Sequence, residues 1–228
     1  DLERYNLLNF SEEFNGWLTQ HGNGKSIPKN FRVNQTDFSF IPPDFAIQQN
    51  ELEIMKLIEI LEKHNCKNIL EIGLGYFGST HVLFREHFES VCTVEISIDR
   101  VKNFYFNAER HFGENYFKEK QSAFIVSNSN SVEAPQKLMK HLEQKNFKLF
   151  DALFIDGFHG YGTVLLDFLI YSNFVKKGGV IAFHDVSSSI EDSGVPKFIQ
   201  DLKKINLNNV VDTYEEIIYS DDLGIGYF

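Results

Sequence analysis

From Ile47 onward the sequence alternates short apolar runs with amphipathic stretches, and this alternation restricts the fold more than any other feature. Runs of β-type sequence stand at Ile69–Ile72, Val91–Glu95, Ala123–Val126, Leu149–Ile155 and Val180–Phe183. Between them, apolar residues recur three and four apart, as helices require. Ile54, Leu57, Ile58 and Leu61 share one face, with Glu53, Lys56 and Lys63 placed away from it. Ser79–Phe88 is a helix that Ser79 or Thr80 can cap, and Ile98, Val101, Tyr105, Ala108 and Phe112 line the next. Val132–Leu142 follows, with Pro135 in its first turn. Thr163–Val175 is stopped by Gly178-Gly179, and Val195–Ile205 is the last helix. Strands joined through helices run parallel, and one as apolar as Leu149–Ile155 is covered on both faces. The reading is a doubly wound α/β sheet. Two last strands, Val210–Tyr219 and Gly224–Phe228, have no helix between them and pair antiparallel through Asp221-Asp222. The total is seven strands.

Residues 1–46 lack this order. They hold a helical candidate at Leu7–Leu18, a polar segment, and Phe31, Phe38, Phe40 and Phe45 around Pro42-Pro43. They read as an N-terminal extension, either a lid over a site or a structural arm, ahead of one domain at 47–228. The 228 residues suit one α/β domain, and 23 Phe make its core or its cleft unusually aromatic. A formal net charge of −10 argues against nucleic acid or an anionic membrane as partner, since both need basic surface. The basic pairs Lys176-Lys177 and Lys203-Lys204 read as helix-end charges. Cys66 and Cys92 lack metal-ligand spacing and read as buried free thiols. No apolar run approaches the ~20 residues of a membrane span, and the first residues lack the pattern of a secretion signal, so the expectation is a cytoplasmic protein.

The first strand runs into Gly73, Gly75 and Gly78, and then into a helix. Glycines there permit a tight reversal and a close backbone approach, and the helix presents free N–H groups and a positive dipole end. Such a turn may only connect a strand to a helix. Glu95, about 20 residues further on at the end of the second run, adds the acceptor that ribose hydroxyls require. Together they indicate a nucleotide-type cofactor on a Rossmann-like sheet.

Ligands of such sheets bind beyond the carboxyl ends of the strands. The third run ends in Ser127-Asn128-Ser129-Asn130-Ser131, able to hydrogen-bond a base edge. The fourth ends Asp156-Gly157-Phe158-His159, and the fifth His184-Asp185. All these ends share one rim. Each carboxylate or imidazole alone has a structural explanation, as a cap or a turn former. Their joint occurrence suits a divalent metal or general-base chemistry.

The pattern Glu71-Ile-Gly-x-Gly-x-x-Gly-Ser-Thr, Glu95, Phe154-Ile-Asp-Gly-x-His-x-Tyr161, Asp167 and Gly178-Gly-Val-Ile-Ala-Phe-His-Asp185 resembles the class I S-adenosylmethionine-dependent methyltransferases. It is most similar to the branch related to catechol-type, macrolide-sugar and cephalosporin-pathway O-methyltransferases. The resemblance implies that Glu71, Gly73, Gly75 and Gly78 form the cofactor turn and that Ser79 reaches the cofactor's carboxylate. It gives Glu95 to the ribose, and Asn130 or Ser131 to the adenine. Asp156, His184 and Asp185 are the implied metal ligands, and His159, with Asp156, the implied catalytic pair. The implied activity is O-methylation of a small hydroxylated acceptor, a sugar or natural-product intermediate. His184 departs from an all-oxygen ligand set and leaves manganese, iron or no metal open beside magnesium. A nicotinamide-dependent oxidoreductase and a non-catalytic binding module are the competing readings of the same turn.

Overall fold

The structure is a computed structural model that describes residues 49–113, 116, 121–146, 149–189, 193–204, 214–219 and 223–228. The 1–46 extension and the Asp221-Asp222 turn lie outside the described residues. In chain order the elements are α1 (Glu51–Lys63), β1 (Asn68–Ile72), α2 (Ser79–His87), β2 (Ser90–Glu95), α3 (Ile98–Phe112), β3 (Gln121–Val126) and α4 (Glu133–Gln144). Then come β4 (Phe150–Ile155), α5 (Tyr161–Tyr171), a 3-10 turn (Ser172–Phe174), β5 (Val175–His184), α6 (Val195–Lys204), β6 (Glu215–Ile217) and β7 (Ile225–Tyr227). The seven strands lie in the order β3-β2-β1-β4-β5-β7-β6. β7 is antiparallel to both β5 and β6, and the other pairs are parallel. The strand order reverses direction between β1 and β4, which makes their carboxyl ends the switch point where such sheets bind ligands.

Side-chain alternation along each strand feeds two cores. Ile69, Val91, Ala152, Phe154 and Ala182 pack with α1, α2 and α3 on one face. Leu70, Cys92, Val94, Leu153, Ile181 and Phe183 pack with α4, α5 and α6 on the other. Cys66 and Cys92 are buried free thiols, as expected. Burial pushes both thiols up, Cys66 to about 11 and Cys92 to about 12, so neither is poised to react.

Several local expectations are corrected. Glu53 does not point away from the core of its helix. It is fully buried, and its carboxylate accepts the backbone N–H groups of Tyr219 (2.7 Å) and Gly224 (3.0 Å), tying the closing hairpin to α1. On α3 Val101 and Ala108 are buried as expected, Phe104 is buried beside them, and Ile98 is half exposed. α2 is capped by neither Ser79 nor Thr80. Its N-cap is Gly78, in the left-handed region at φ 66° with no side-chain cap bond. Gly178-Gly179 does not stop a helix, because α5 ends at Tyr171 and the 3-10 turn leads into β5. The glycines form an irregularity inside β5, where a Cβ on Gly179 would stand 2.5 Å from the Asp151 carbonyl oxygen. Lys176-Lys177 therefore lies in a strand, and only Lys203-Lys204 ends a helix.

Lys176 has a specific partner. Its Nζ lies 2.7 Å from Asp151 Oδ1, while Asp151 Oδ2 accepts the backbone N–H groups of Lys67 (2.7 Å) and Asn68 (2.9 Å). This carboxylate joins the amino ends of β1, β4 and β5. Burial pushes its pKa up, but Lys176 and the two N–H donors outweigh burial and hold it below the ordinary value. A group with a depressed folded pKa stabilises above its unfolded pKa, and that contribution fades as pH falls through the folded value. Asp151→Asn is accordingly expected to lower stability at neutral pH, with the gap to wild type closing below the ordinary aspartate pKa of about 3.9, as urea melts across pH will show. Glu53→Ala strands two backbone donors and is expected to cost roughly 2–4 kcal/mol in the same melts, with faster hydrogen exchange confined to residues 215–227.

Candidate active site

Gly73 follows β1 at φ 96°, its N–H donating to the Val94 carbonyl (2.9 Å). A Cβ there would lie 2.2 Å from the carbonyl oxygen of Asp156 and 2.9 Å from Gly157 Cα. Glycine at this position therefore lets the ends of β1 and β4 touch. Gly75 and Gly78 are also left-handed, at φ 66° each, and a Cβ on Gly78 would strike the Phe104 ring at 2.3 Å. The third glycine is thus spent on packing α2 against α3.

Glu95 is buried at the end of β2 and reaches back to the turn. Its Oε2 accepts from Leu74 N (2.9 Å), and its Oε1 accepts from Ser97 N (2.8 Å) and lies 3.5 Å from Arg100 NH1. Ile96, beside it, is 63% exposed and offers an apolar surface at the same edge. Glu71 is buried beneath the turn and accepts a short hydrogen bond from the Thr93 hydroxyl. Burial, followed by the nearby charges of Asp156 and Glu95, raises its pKa well above the usual carboxylate range, against the pull of Thr93. Thr93 Oγ1 is also 2.7 Å from His81 Nδ1, and His81 Nε2 is 2.9 Å from Ser122 Oγ. Burial lowers the His81 pKa to about 3, so the ring is neutral, with one donor and one acceptor nitrogen. With Thr93 donating to Glu71, His81 Nδ1–H donates to Thr93 and Nε2 accepts from Ser122. Every member of this chain is satisfied.

Across the switch point, Asp156, His159, His184 and Asp185 come together as the sequence indicated. His184 Nδ1 lies 3.1 Å from Asp156 Oδ1 and 3.3 Å from Asp185 Oδ2. His159 Nε2 lies 3.1 Å from Asp185 Oδ2 and 3.8 Å from Asp156 Oδ1. Ligand atoms of Asp156, His184 and Asp185 all lie within 4.8 Å of one another. His184 Nε2 is buried without a hydrogen-bond partner among the described residues. Asp185 adopts φ 60°, a left-handed conformation uncommon outside glycine, at the end of β5. Burial opposes charge on both Asp156 and His184, yet their mutual attraction prevails, so Asp156 is held well below the carboxylate range and His184 well above the ordinary histidine value. The neighbouring carboxylates of Asp156 and Asp185 raise His159, against burial. Phe158, between these groups, is 76% exposed at the rim.

Asn130 and Ser131 sit at the same edge with their polar groups engaged. Asn130 Nδ2 donates to Asp167 Oδ1 (2.7 Å), and Ser131 Oγ donates to the Asn128 carbonyl (2.7 Å). Asp167 is fully buried, and burial raises it to about 6. Ser79 is buried at the first residue of α2. One residue of the cluster carries no sequence signal: Gln49, which donates from Nε2 to Asp156 Oδ2 at 2.6 Å and accepts at Oε1 from the Thr80 hydroxyl at 2.9 Å. It stands just before the Asn50 cap of α1, outside any recognisable pattern. His81, a histidine inside an apolar helical run, did offer a signal that a buried polar chain was present.

No helix among the described residues is long and apolar enough to cross a membrane. A search of curated protein sequences finds no match. Among solved structures, the O-methyltransferase from Bacillus cereus in complex with SAH aligns at TM-score 0.57 and 16% identity, over 94% of this chain and 96% of its own. The O-methyltransferase TomG from Streptomyces achromogenes, involved in tomaymycin synthesis and in complex with SAM, aligns at TM-score 0.55 and 14% identity, over 100% and 93%. The MycE methyltransferase of the mycinamycin pathway, in complex with Mg, SAH and mycinamycin VI, aligns at TM-score 0.52 and 14% identity, over 97% and 63%. At such identities the likeness is one of fold. The sequence itself matches a family model described as a methyltransferase domain over residues 70–186, the segment from β1 to the turn after β5. That match spans more than half of the 228 residues, and the chain belongs to this methyltransferase-domain family, with the class I fold.

Proposed function

We propose that this methyltransferase moves the methyl group of S-adenosylmethionine to a hydroxyl of a small acceptor, of sugar or natural-product type, with a divalent cation held by Asp156, His184 and Asp185. The observation that carries the reading is the meeting of Asp156, His159, His184 and Asp185 against the glycine turn, at the switch point of a methyltransferase-family sheet. The tomaymycin- and mycinamycin-pathway proteins of the same fold support a natural-product acceptor, and the Mg bound to MycE supports a cation.

The residues present fit both groups. For the cofactor, three left-handed glycines shape the turn, the buried Glu95 carboxylate is aimed by Leu74 N, and exposed Ile96 flanks it. Glu95 retains lone pairs beyond the N–H bonds it already accepts, enough for two ribose hydroxyls. For the cation, two carboxylates and one imidazole converge, and the mixed oxygen–nitrogen set suits manganese or iron as well as magnesium. When bound, S-adenosylmethionine supplies an electrophilic sulfonium methyl, and a cation at the carboxylates favours the ionised form of an acceptor hydroxyl. The chain's own residues orient and move the proton. His159, 40% exposed at the rim, takes it from the hydroxyl, and Asp185 at 3.1 Å orients the ring and stabilises the imidazolium that forms. Asp156 sets the geometry between His184 and His159. The open rim beside Phe158 admits the acceptor.

Titration calorimetry with S-adenosylhomocysteine is expected to show binding that Glu95→Ala weakens by about a hundredfold, the equivalent of roughly 2.7 kcal/mol, through loss of charge-assisted bonds. A wild-type protein that takes up neither cofactor form would sink the reading. Transfer of labelled methyl to a panel of hydroxylated acceptors is expected to fall about 10²–10⁴-fold in His159→Ala, while its homocysteine-form affinity stays within about threefold. Equal turnover by wild type and variant would remove His159 from the chemistry.

A further inference from the structure

The two oxygens of Asp156 face different neighbours. Oδ1 meets His184 (3.1 Å) and His159 (3.8 Å), and Oδ2 accepts from Gln49 Nε2 at 2.6 Å. Gln49 is 4% exposed and comes from the segment preceding α1, 107 residues away in sequence. Its own carbonyl is fixed by the hydroxyl of Thr80, in the first turn of α2 directly after the glycine turn. Both ends of this amide are therefore used, one on each side of the switch point. A carboxylate at the end of a strand can rotate about its Cα–Cβ and Cβ–Cγ bonds. A short bond to one oxygen from a buried, doubly anchored donor removes that freedom and leaves the other oxygen aimed at the imidazoles. The donor is neutral, so it holds the carboxylate without competing for it as an ion-pair partner. Groups that fix a ligand carboxylate in this way typically change metal affinity 10–100-fold when removed.

We propose that Gln49 is the positioning residue for Asp156: bridging from Thr80 on the cofactor side, it aims Asp156 Oδ1 into the His159–His184–Asp185 cluster. The consequence for cation affinity rests on the proposed function, whereas the effect on the two histidines does not. Nothing in this role requires Gln49 to touch cofactor or acceptor.

The test uses the full chain and the variants Gln49→Met, which keeps the length and loses both bonds, Thr80→Val, and the double variant. In the metal-free protein, ¹⁵N spectra of the histidine side chains are expected to show His184 and His159 displaced in Gln49→Met, with His81 unmoved as internal control. The S-adenosylhomocysteine affinity is expected to hold within about threefold, and the thermal midpoint to fall by roughly 2–8 °C for the two buried bonds lost. Electron paramagnetic resonance titration with Mn²⁺ is expected to show affinity about tenfold or more weaker in Gln49→Met. Thr80→Val is expected to produce a smaller loss, and the double variant no loss beyond that of Gln49→Met, because the two act through one chain of bonds. Unchanged His184 and His159 resonances would overturn the assignment. So would a loss of S-adenosylhomocysteine affinity as large as the loss for Mn²⁺, which would make Gln49 a cofactor contact. If wild type binds no Mn²⁺, the cation falls from the proposed function, and the histidine spectra still decide the role of Gln49.

Discussion

The contact between Gly73 and the Asp156 carbonyl is the constraint on which the site depends. A side chain at position 73 would stand 2.2 Å from that oxygen, and the backbone there is left-handed as well, so two independent penalties select glycine. What the contact secures is proximity. β1 leads into the glycine turn, β4 leads into Asp156, and the two are neighbours in the sheet from Ile69–Ala152 to Ile72–Ile155. The backbone bond from Asp156 N to the Ile72 carbonyl, 2.9 Å, continues that register beyond the strands. The distance between the glycine turn and the cluster around Asp156 is thereby set by main-chain packing, which is stiffer than any side-chain arrangement.

Around that contact the protein gathers four acids, Glu71, Glu95 and Asp185, which are buried, and Asp156, which is partly buried, and treats them differently. Glu71 has a hydroxyl partner but no cation beside it, and burial pushes it toward the neutral form. Glu95 accepts two backbone N–H groups and lies near Arg100. Asp156 is compensated by two imidazoles and an amide, and Asp185 by the same two imidazoles. A set of this kind costs desolvation that a structural core would avoid, since charges buried in protein stabilise only when fully partnered. The cost is sustained where the charges have work to do.

The strand–helix alternation, the antiparallel closing strands and the convergence of 156, 159, 184 and 185 were all legible in the sequence, because each follows from periodicity or from the rule that strand ends share a rim. What escaped is instructive. Glu53 looked like a solvent-facing charge because helical periodicity reports which face is apolar and is blind to a hairpin 166 residues away that needs an acceptor. Gly178-Gly179 looked like a helix stop because a glycine pair has the same composition whether it ends a helix or makes room for a neighbouring carbonyl. The first glycine of the turn was legible as glycine, but its reason was not: it faces protein backbone. Gln49 had no pattern at all, since its role is defined wholly by two partners, 31 and 107 residues distant.

The electrostatics of the rim also bear on which cofactor it suits. S-adenosylmethionine carries a sulfonium and an ammonium against one carboxylate and is a net cation, whereas a dinucleotide brings two phosphates. The edge that would receive them ends in Glu71, Glu95, Asp156 and Asp185, and the whole chain carries a formal charge of −10. The N-terminal turn of α2 contributes a partial positive end, and its first turn holds no acid, while the His81 within it is neutral and adds no charge. A pyrophosphate would meet the carboxylates of Glu95, Asp156 and Asp185 at close range, with the helix dipole in its favour but Arg100 and the imidazoles of His159 and His184 already engaged by those carboxylates, while a sulfonium would meet opposite charge. The glycine turn alone is indifferent between the two ligands; the carboxylates brought against it by Gly73 are not.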